Sequence, residues 1–274
     1  MTPIKLIAQK VDIFPSDGKH QFARTGQLAF HHLKAAGAAG VLICHSEHEE
    51  PFEIIPRKLI PAIDAGLEDN IVLFGEKWED IGKPWSLLDG KQKLKIAEIL
   101  KNRLREILKE IGEETALKTV FSYEPGWAVR GSGKADVHPP GPEQIGPMAA
   151  AMRKAFEEEY SEEAANKIRI IYGGSMSPER AKDIMPLEDI DGFILGSAGT
   201  KVVWVKLISE AIVQSSEKKK TGRRPVLALN WKAYQLEEPY EEFLKIVRNY
   251  SDRIEFYLAP PATDLYRLHL LLQK

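Results

Sequence analysis

A chain of 274 residues is long for an ordinary single domain but usual for an α/β barrel, so length does not force two domains, and it is ample for a large core. Lys and Arg number 38 against 40 Asp and Glu, a net charge of -2, which removes the electrostatic case for a nucleic-acid partner. A single cysteine excludes an internal disulfide and suggests a reducing compartment. With no secretory signal pattern and no apolar run long enough to span a bilayer, the expectation is a soluble, cytoplasmic protein.

Short β-branched or apolar runs alternate with amphipathic helical stretches along the chain. The first run, Ile4–Ala8, is followed by a helix over Leu28–Ala36, and Val41–Ile43 by one over Pro56–Ala65. Ile71–Phe74 leads to Lys91–Ile111, where Leu94, Ala97, Leu100, Leu104, Ile107 and Ile111 recur at helical spacing. Both charge signs occupy its polar face, which favours an outer-ring helix over a membrane-surface one. Thr119–Tyr123 precedes Glu143–Glu159, Ile168–Tyr172 precedes Glu179–Met185, and Gly192–Leu195 precedes Val202–Ser215. The last two pairs are Val226–Leu229 with Tyr240–Tyr250 and Ile254–Leu258 with Asp264–Leu272. Roughly eight β-α units predict a single α/β domain folded as a closed (β/α)8 barrel. A doubly wound open sheet is the rival, weakened because no G-x-G-x-x-G follows a strand. The polar, basic stretch from Ser215 to Pro225 has no apolar periodicity and reads as a linker or a pair of joined tails within one domain spanning 1–274.

In such a barrel the residues just after each strand carry the chemistry. Thr119–Tyr123 delivers the carboxylate of Glu124, and Pro125 stops the strand because it has no N–H to give. Trp127 and a Gly-Ser-Gly tip with Lys134 behind it follow, which suits a lid that excludes water, although a surface loop with an exposed Glu has the same composition. The seventh run ends Leu229-Asn-Trp-Lys232; if Ala228 points inward, alternation sends Asn230 and Lys232 to the mouth, the alternative being a snorkelling surface lysine. The second run ends Cys44-His45-Ser46-Glu47, where His45 is assigned the inward face shared with Val41 and Ile43, and Cys44 the opposite one. A lone strand-end His is also a common structural residue. The acid and His cluster His45–Glu50 matches no standard zinc spacing, so no metal is expected. Tyr172-Gly-Gly-Ser175 and Leu195-Gly-Ser-Ala-Gly-Thr200 are glycine-rich turns before helices, able to bind an anion through backbone N–H groups or to be plain turns. A carboxylate, an imidazole, an ammonium and two anion-type turns at strand ends fit proton transfer next to a carbonyl in a small phosphorylated substrate.

These residues resemble the triosephosphate isomerase family. The resemblance rests on Asn230-Trp-Lys232, His45-Ser-Glu47, Gly75-Glu76, Tyr123-Glu-Pro-x-Trp127, Tyr172-Gly-Gly-Ser175 and Asp191-Gly-Phe-x-x-Gly196, which span nearly the whole chain. Their order differs from the family's: Asn230–Lys232 and Ala259-Pro-Pro261 stand near the C-terminal end instead of first. The resemblance therefore implies a circularly permuted TIM barrel that begins at the family's third strand, with 215–225 joining the usual ends. It further implies interconversion of dihydroxyacetone phosphate and glyceraldehyde 3-phosphate through an enediolate, without a cofactor. Glu124 would be the base, His45 a neutral imidazole acting on the carbonyl, and Lys232 the counter-charge; this pairing is taken over from the family. Asn230, Ser46, Glu47, Glu76, Trp127 and Tyr172 would support them. Backbone groups near Gly133, Gly174, Ser175, Gly196 and Ser197 would hold the phosphate, and the lid would run from Pro125 to Lys134. A homodimer through the Lys10–Arg24 loop and Thr25 is also implied, with no nucleic acid or membrane partner.

Departures from the family pattern are Arg130 as an added lid residue, Gly126 in the first hinge, Ser197 in place of a second glycine, and His48-Glu49 where a basic pair is usual. The longer lid and the altered surroundings of His45 motivate one alternative, an isomerase of a longer ketose phosphate such as a tetrulose phosphate; the permutation motivates another, a non-catalytic barrel, either a binding module or an engineered scaffold. A lyase using Lys232 as a Schiff base is a further rival from another enzyme class.

Overall fold

The structure, a computed structural model, describes residues 4–13, 25–129, 132–133, 138–219, 221–234 and 236–274. Its strands are β1 (Lys5–Ala8), β2 (Gly40–Ile43), β3 (Ile71–Phe74), β4 (Val120–Tyr123), β5 (Arg169–Tyr172), β6 (Gly192–Leu195), β7 (Val226–Asn230) and β8 (Glu255–Ala259). All neighbours pair in parallel and β1 pairs with β8, so the sheet closes in chain order as a single (β/α)8 barrel. The runs are short and apolar because each strand is covered on both faces. One set of side chains fills the inside: Ile7, Leu42, Ile71, Leu73, Val120, Ile171, Ile194, Val226, Ala228, Tyr257 and Ala259. The alternate set packs outward beneath the helices. Glu255 plugs the N-terminal mouth, accepting from Arg169 Nη1 at 2.7 Å and Tyr257 Oη at 2.6 Å.

Around the barrel run α1 (Phe30–Ala35), α2 (Ile54–Asp64), α3 (Trp78–Ile81), α4 (Gly90–Lys118), α5 (Pro142–Glu159), α6 (Glu162–Lys167), α7 (Pro178–Ile184), α8 (Val202–Ser216), α9 (Tyr240–Tyr250) and α10 (Leu265–Leu272). The predicted helix over Lys91–Ile111 is the first part of α4. Asp89 caps it by accepting from Gln92 N at 2.8 Å, and Gly112, at φ 74°, interrupts it where the apolar spacing ends. The short α3 and α6 were not expected from periodicity, since neither is long enough to show a repeat; α6 is set by Ser161 Oγ, which accepts from Ala164 N. Among the described residues no helix is long and apolar enough to cross a membrane.

The stretch from Ser215 to Pro225 begins inside α8, which reaches Ser216. Two of its basic residues, Lys219 and Arg223, are fastened to the barrel. Lys219 Nζ donates to Leu187 O at 2.6 Å and also to Ile190 O, and burial brings its pKa down to about 8. Arg223 Nε donates to Asp191 Oδ1 at 2.8 Å and its Nη2 to Glu188 O at 2.7 Å.

Candidate active site

The C-terminal ends of β2, β4, β6 and β7 and the turn after β5 meet at one cavity of about 260 Å³ lined by His45, Glu124, Gly174, Ser175, Gly196, Ser197, Asn230 and Lys232, among others. Glu124 gets there by plain alternation. Val120 faces the barrel interior, so Glu124 faces inward at the strand's end, and it is 5% exposed. Its Oε2 accepts from the Ser46 N–H at 3.0 Å, and its Oε1 lies 3.5 Å from His45 Nε2. Gly75, at the end of β3, is the reason the next strand can come so close. A Cβ there would stand 2.4 Å from Glu124 O and 2.6 Å from Pro125 N, so only glycine admits this backbone approach.

His45 reaches the cavity by a different route from the one alternation predicts. Leu42 points into the barrel, so Val41 and Ile43 point outward under the helices, and the expected shared inward face of Val41, Ile43 and His45 is wrong. The cause lies at Cys44, whose φ of 63° is left-handed. That one residue breaks the alternation and turns His45 inward, while the Cys44 thiol stays in the outer core near Glu50 O. His45 then caps the short helical turn Ser46–His48, its Nδ1 accepting from Glu47 N at 3.1 Å. An accepting Nδ1 leaves the ring neutral with its proton on Nε2, the atom that faces Glu124.

Ala228 points inward, and Asn230, two residues on, lines the cavity. Beyond the strand Lys232 takes a left-handed φ of 48°. Asn230 Oδ1 accepts from its N–H at 3.1 Å, and its ammonium pairs with Glu47 Oε1 at 2.5 Å. It passes close to the turn after β6, since a Cβ on Gly196 would lie 3.5 Å from Lys232 Nζ. Glu47 is thus tied to both His45 and Lys232, through its backbone N–H and its carboxylate respectively. The Lys232 ammonium is the leading opposing influence to burial at Glu47 and holds that carboxyl below its ordinary value.

Two glycine turns form the far wall. Ser175 N and Oγ each donate to Ala128 O at 3.1 Å, which joins this turn to the segment after β4. Ser197 opens the helical turn Ser197–Thr200 without a positive φ, so a side chain is accepted where the family pattern has glycine. The segment after β4 opens with a helical turn over Gly126–Ala128, and Gly126 sits against Ser46, whose Cβ would be 3.3 Å from an added methyl. Trp127 is anchored through Nε1 to Glu76 Oε1 at 3.3 Å, an oxygen that also accepts from Tyr123 Oη at 3.0 Å and Gln144 Nε2 at 3.3 Å. Complete burial pushes the Glu76 carboxyl up to about 7 in spite of those donors. The Tyr172 hydroxyl is buried, lies against Gly174 and faces the Arg180 guanidinium. Gly133 is exposed at φ 72°, while Arg130 and Lys134 lie outside the described residues, as does most of the Lys10–Arg24 loop.

Sequence reasoning missed several neighbours. Gln9, the first residue after β1, donates from Nε2 to Lys232 O at 3.0 Å and to Ala259 O at 2.9 Å, bracing the strained lysine; the strand-end rule applied to β1 would have found it. Lys201 and Trp204 also line the cavity, with the Lys201 ammonium 4.3 Å from the Trp204 ring centre. They sit at the start of α8 rather than at a strand end, and no motif marks them.

The arrangement offers a carboxylate, a neutral imidazole and an ammonium around one cavity. The family model described as "Triosephosphate isomerase" matches residues 1–211. A triosephosphate isomerase of Fusobacterium nucleatum is 34% identical over 72% of the chain and 72% of the relative. Those of Emericella nidulans, at 34% over 68% of the chain and 70% of the relative, and Thermodesulfovibrio yellowstonii, at 36% over 72% of each, are also similar. Matches of this length and identity, on the fold already described, mean that the chain belongs to the triosephosphate isomerase family.

Proposed function

We propose that the chain interconverts dihydroxyacetone phosphate and glyceraldehyde 3-phosphate, with Glu124, His45 and Lys232 as its catalytic groups. The observation that carries this reading is the meeting of those three side chains at a single cavity walled by two glycine turns. The Glu124 carboxylate removes a proton from the substrate carbon beside the carbonyl, and an enediolate forms. His45 Nε2–H hydrogen-bonds the carbonyl oxygen as negative charge develops there and relays a proton between the two oxygens. The protonated Glu124, whose proton can exchange with solvent, then delivers a proton to the neighbouring carbon. No atom is gained or lost. Lys232 offsets the charge of the phosphate and the enediolate. The N–H groups of the turns at Gly174–Ser175 and Gly196–Ser197, with Gly133 from the lid, hold the phosphate. The lid keeps water from the enediolate, which would otherwise expel phosphate. The relatives do not favour the longer-sugar or scaffold readings.

A coupled assay with glyceraldehyde 3-phosphate tests this. Glu124→Asp withdraws the carboxylate by about one methylene, and turnover should fall by about 100-fold or more while phosphate-analogue binding stays nearly unchanged. An unchanged rate removes Glu124 from the role of base.

The chain is further read as a circular permutant in which 215–225 joins the family's usual ends. The family match stops at residue 211, before the strand carrying Asn230-Trp-Lys232, and this supports the reading. The cut and the joint both fall on helix-to-strand connections, away from the loops that carry the chemistry. Cytoplasmic location and a homodimer through the Lys10–Arg24 loop and Thr25 complete the proposal.

A further inference from the structure

We propose that Arg180 is a positioning residue that locks the phosphate-gripping turn to the far stem of the lid, an inference that rests on the isomerase reading above. Ser175 is linked to the described segments on either side of the proposed lid. Its N–H and hydroxyl hold Ala128 O, on the stem that leaves β4. Its own carbonyl accepts from Arg180 Nε at 3.0 Å. The Nη2 of the same guanidinium donates to Pro140 O at 2.7 Å, on the stem that enters α5. One planar group therefore spans two carbonyls that are 35 residues apart in the chain. The fixed fork of the guanidinium makes that span rigid, which a single ammonium cannot do.

The backbone of Arg180 is itself fixed. It is in the first turn of α7, and its N–H donates to Ser177 Oγ at 3.3 Å. Among the described residues Arg180 makes no ion pair. Its guanidinium donates to the Ser175 and Pro140 carbonyls and acts on the Tyr172 hydroxyl, so a positive charge stands behind the turn proposed to hold the phosphate. The guanidinium also faces the buried Tyr172 hydroxyl, the next side chain inward behind Gly174. The clamp thus has two effects: it fixes the height of the Ser175 turn relative to both lid stems, and it adds positive potential at the phosphate end of the cavity.

Arg180→Met and Arg180→Lys test the proposal, with inorganic phosphate and glyceraldehyde 3-phosphate as probes. In Arg180→Met, KM and the dissociation constant of inorganic phosphate, measured by calorimetry, should both rise by about tenfold, with kcat within about threefold of the parent. Arg180→Lys keeps the charge but can reach one carbonyl only, so its values should lie between the two. Wild-type KM and phosphate affinity in folded Arg180→Met overturn the clamp. So does a KM left unchanged beside a lowered kcat, and so does Arg180→Lys behaving like Arg180→Met while the melting temperature drops equally in both, which is the result of general loosening. A parent protein that binds inorganic phosphate but does not isomerise triose phosphates contradicts the reaction and leaves the clamp standing.

Discussion

Gly173, the residue that follows β5 by one position, offers a way to move the catalytic carboxylate without altering it. A Cβ built there would stand 2.6 Å from Ser122 Oγ, 3.1 Å from Glu124 Cβ and 3.1 Å from Ile194 Cγ2. The first conflict is relieved by rotation of the Ser122 hydroxyl, which is buried and has no hydrogen-bond partner among the described residues. The other two are not, because Gly173 N is pinned to Tyr123 O at 2.9 Å and Ile194 is packed inside the barrel. An ordinary carbon contact is about 3.5–4.0 Å, so Glu124 must give way by roughly half an ångström. Overpacking of this kind costs about 1–3 kcal/mol of stability. A displacement of about 1 Å lowers catalysis by about 100-fold, so half of that should lower kcat by about tenfold. KM should change by no more than about threefold, because the groups proposed to grip phosphate are not displaced. The measurements are a coupled steady-state assay and a urea melt. Gly90→Ala is the control, since a methyl at Gly90 meets nothing within 4 Å. A folded Gly173→Ala with parental kcat refutes the claim that the carboxylate's position is set by this packing.

Further predictions concern the groups around the cavity. The carboxyl of Glu76 rises from 4.5 to about 7 on folding, so the native state keeps a proton that the unfolded chain releases between those values. Stability should therefore fall by about 3 kcal/mol as pH rises through that window and be flat above it, and Glu76→Gln should abolish the fall; an unchanged slope in Glu76→Gln places its origin elsewhere. The Cys44 thiol, buried and pushed up to about 12, should resist iodoacetamide at pH 8 in the native protein and react on unfolding, a difference that mass spectrometry reads directly. Gln9→Ala removes both hydrogen bonds that brace the left-handed Lys232. Activity should fall by about tenfold, and full activity in that variant shows that Asn230 and Glu47 alone suffice.

The barrel was legible because its signals are local. Ile71–Phe74, Gly192–Leu195 and Tyr240–Tyr250 form the elements their patterns predict, with the same ends. Glu124 and Asn230 were legible for the same reason, since an unbroken strand carries alternation to its last residue. The route of His45 was not, although the residue itself was correctly singled out. Nothing in Val41-Leu-Ile-Cys44 announces a left-handed cysteine, and one positive φ reverses every face after it. The backbone approach at Gly75 was visible only as a motif, because its reason is a neighbour 49 residues away at Glu124. Gln9, Arg180 and Lys201 act through tertiary contacts and carry no pattern of their own. The stretch from Ser215 to Pro225 reads as a linker, yet the Lys219 and Arg223 side chains are fastened to Asp191 and to nearby carbonyls.

Turnover of glyceraldehyde 3-phosphate in D2O, followed by proton NMR, most directly tests whether the Glu124 carboxylate moves a carbon-bound proton beside His45. Dihydroxyacetone phosphate should form with deuterium from solvent at the carbon that receives the proton and with no release of inorganic phosphate, and both product and label should fall together by about 100-fold in Glu124→Asp. Cleavage of a carbon–carbon bond, or label arriving at the parental rate in Glu124→Asp, contradicts the account.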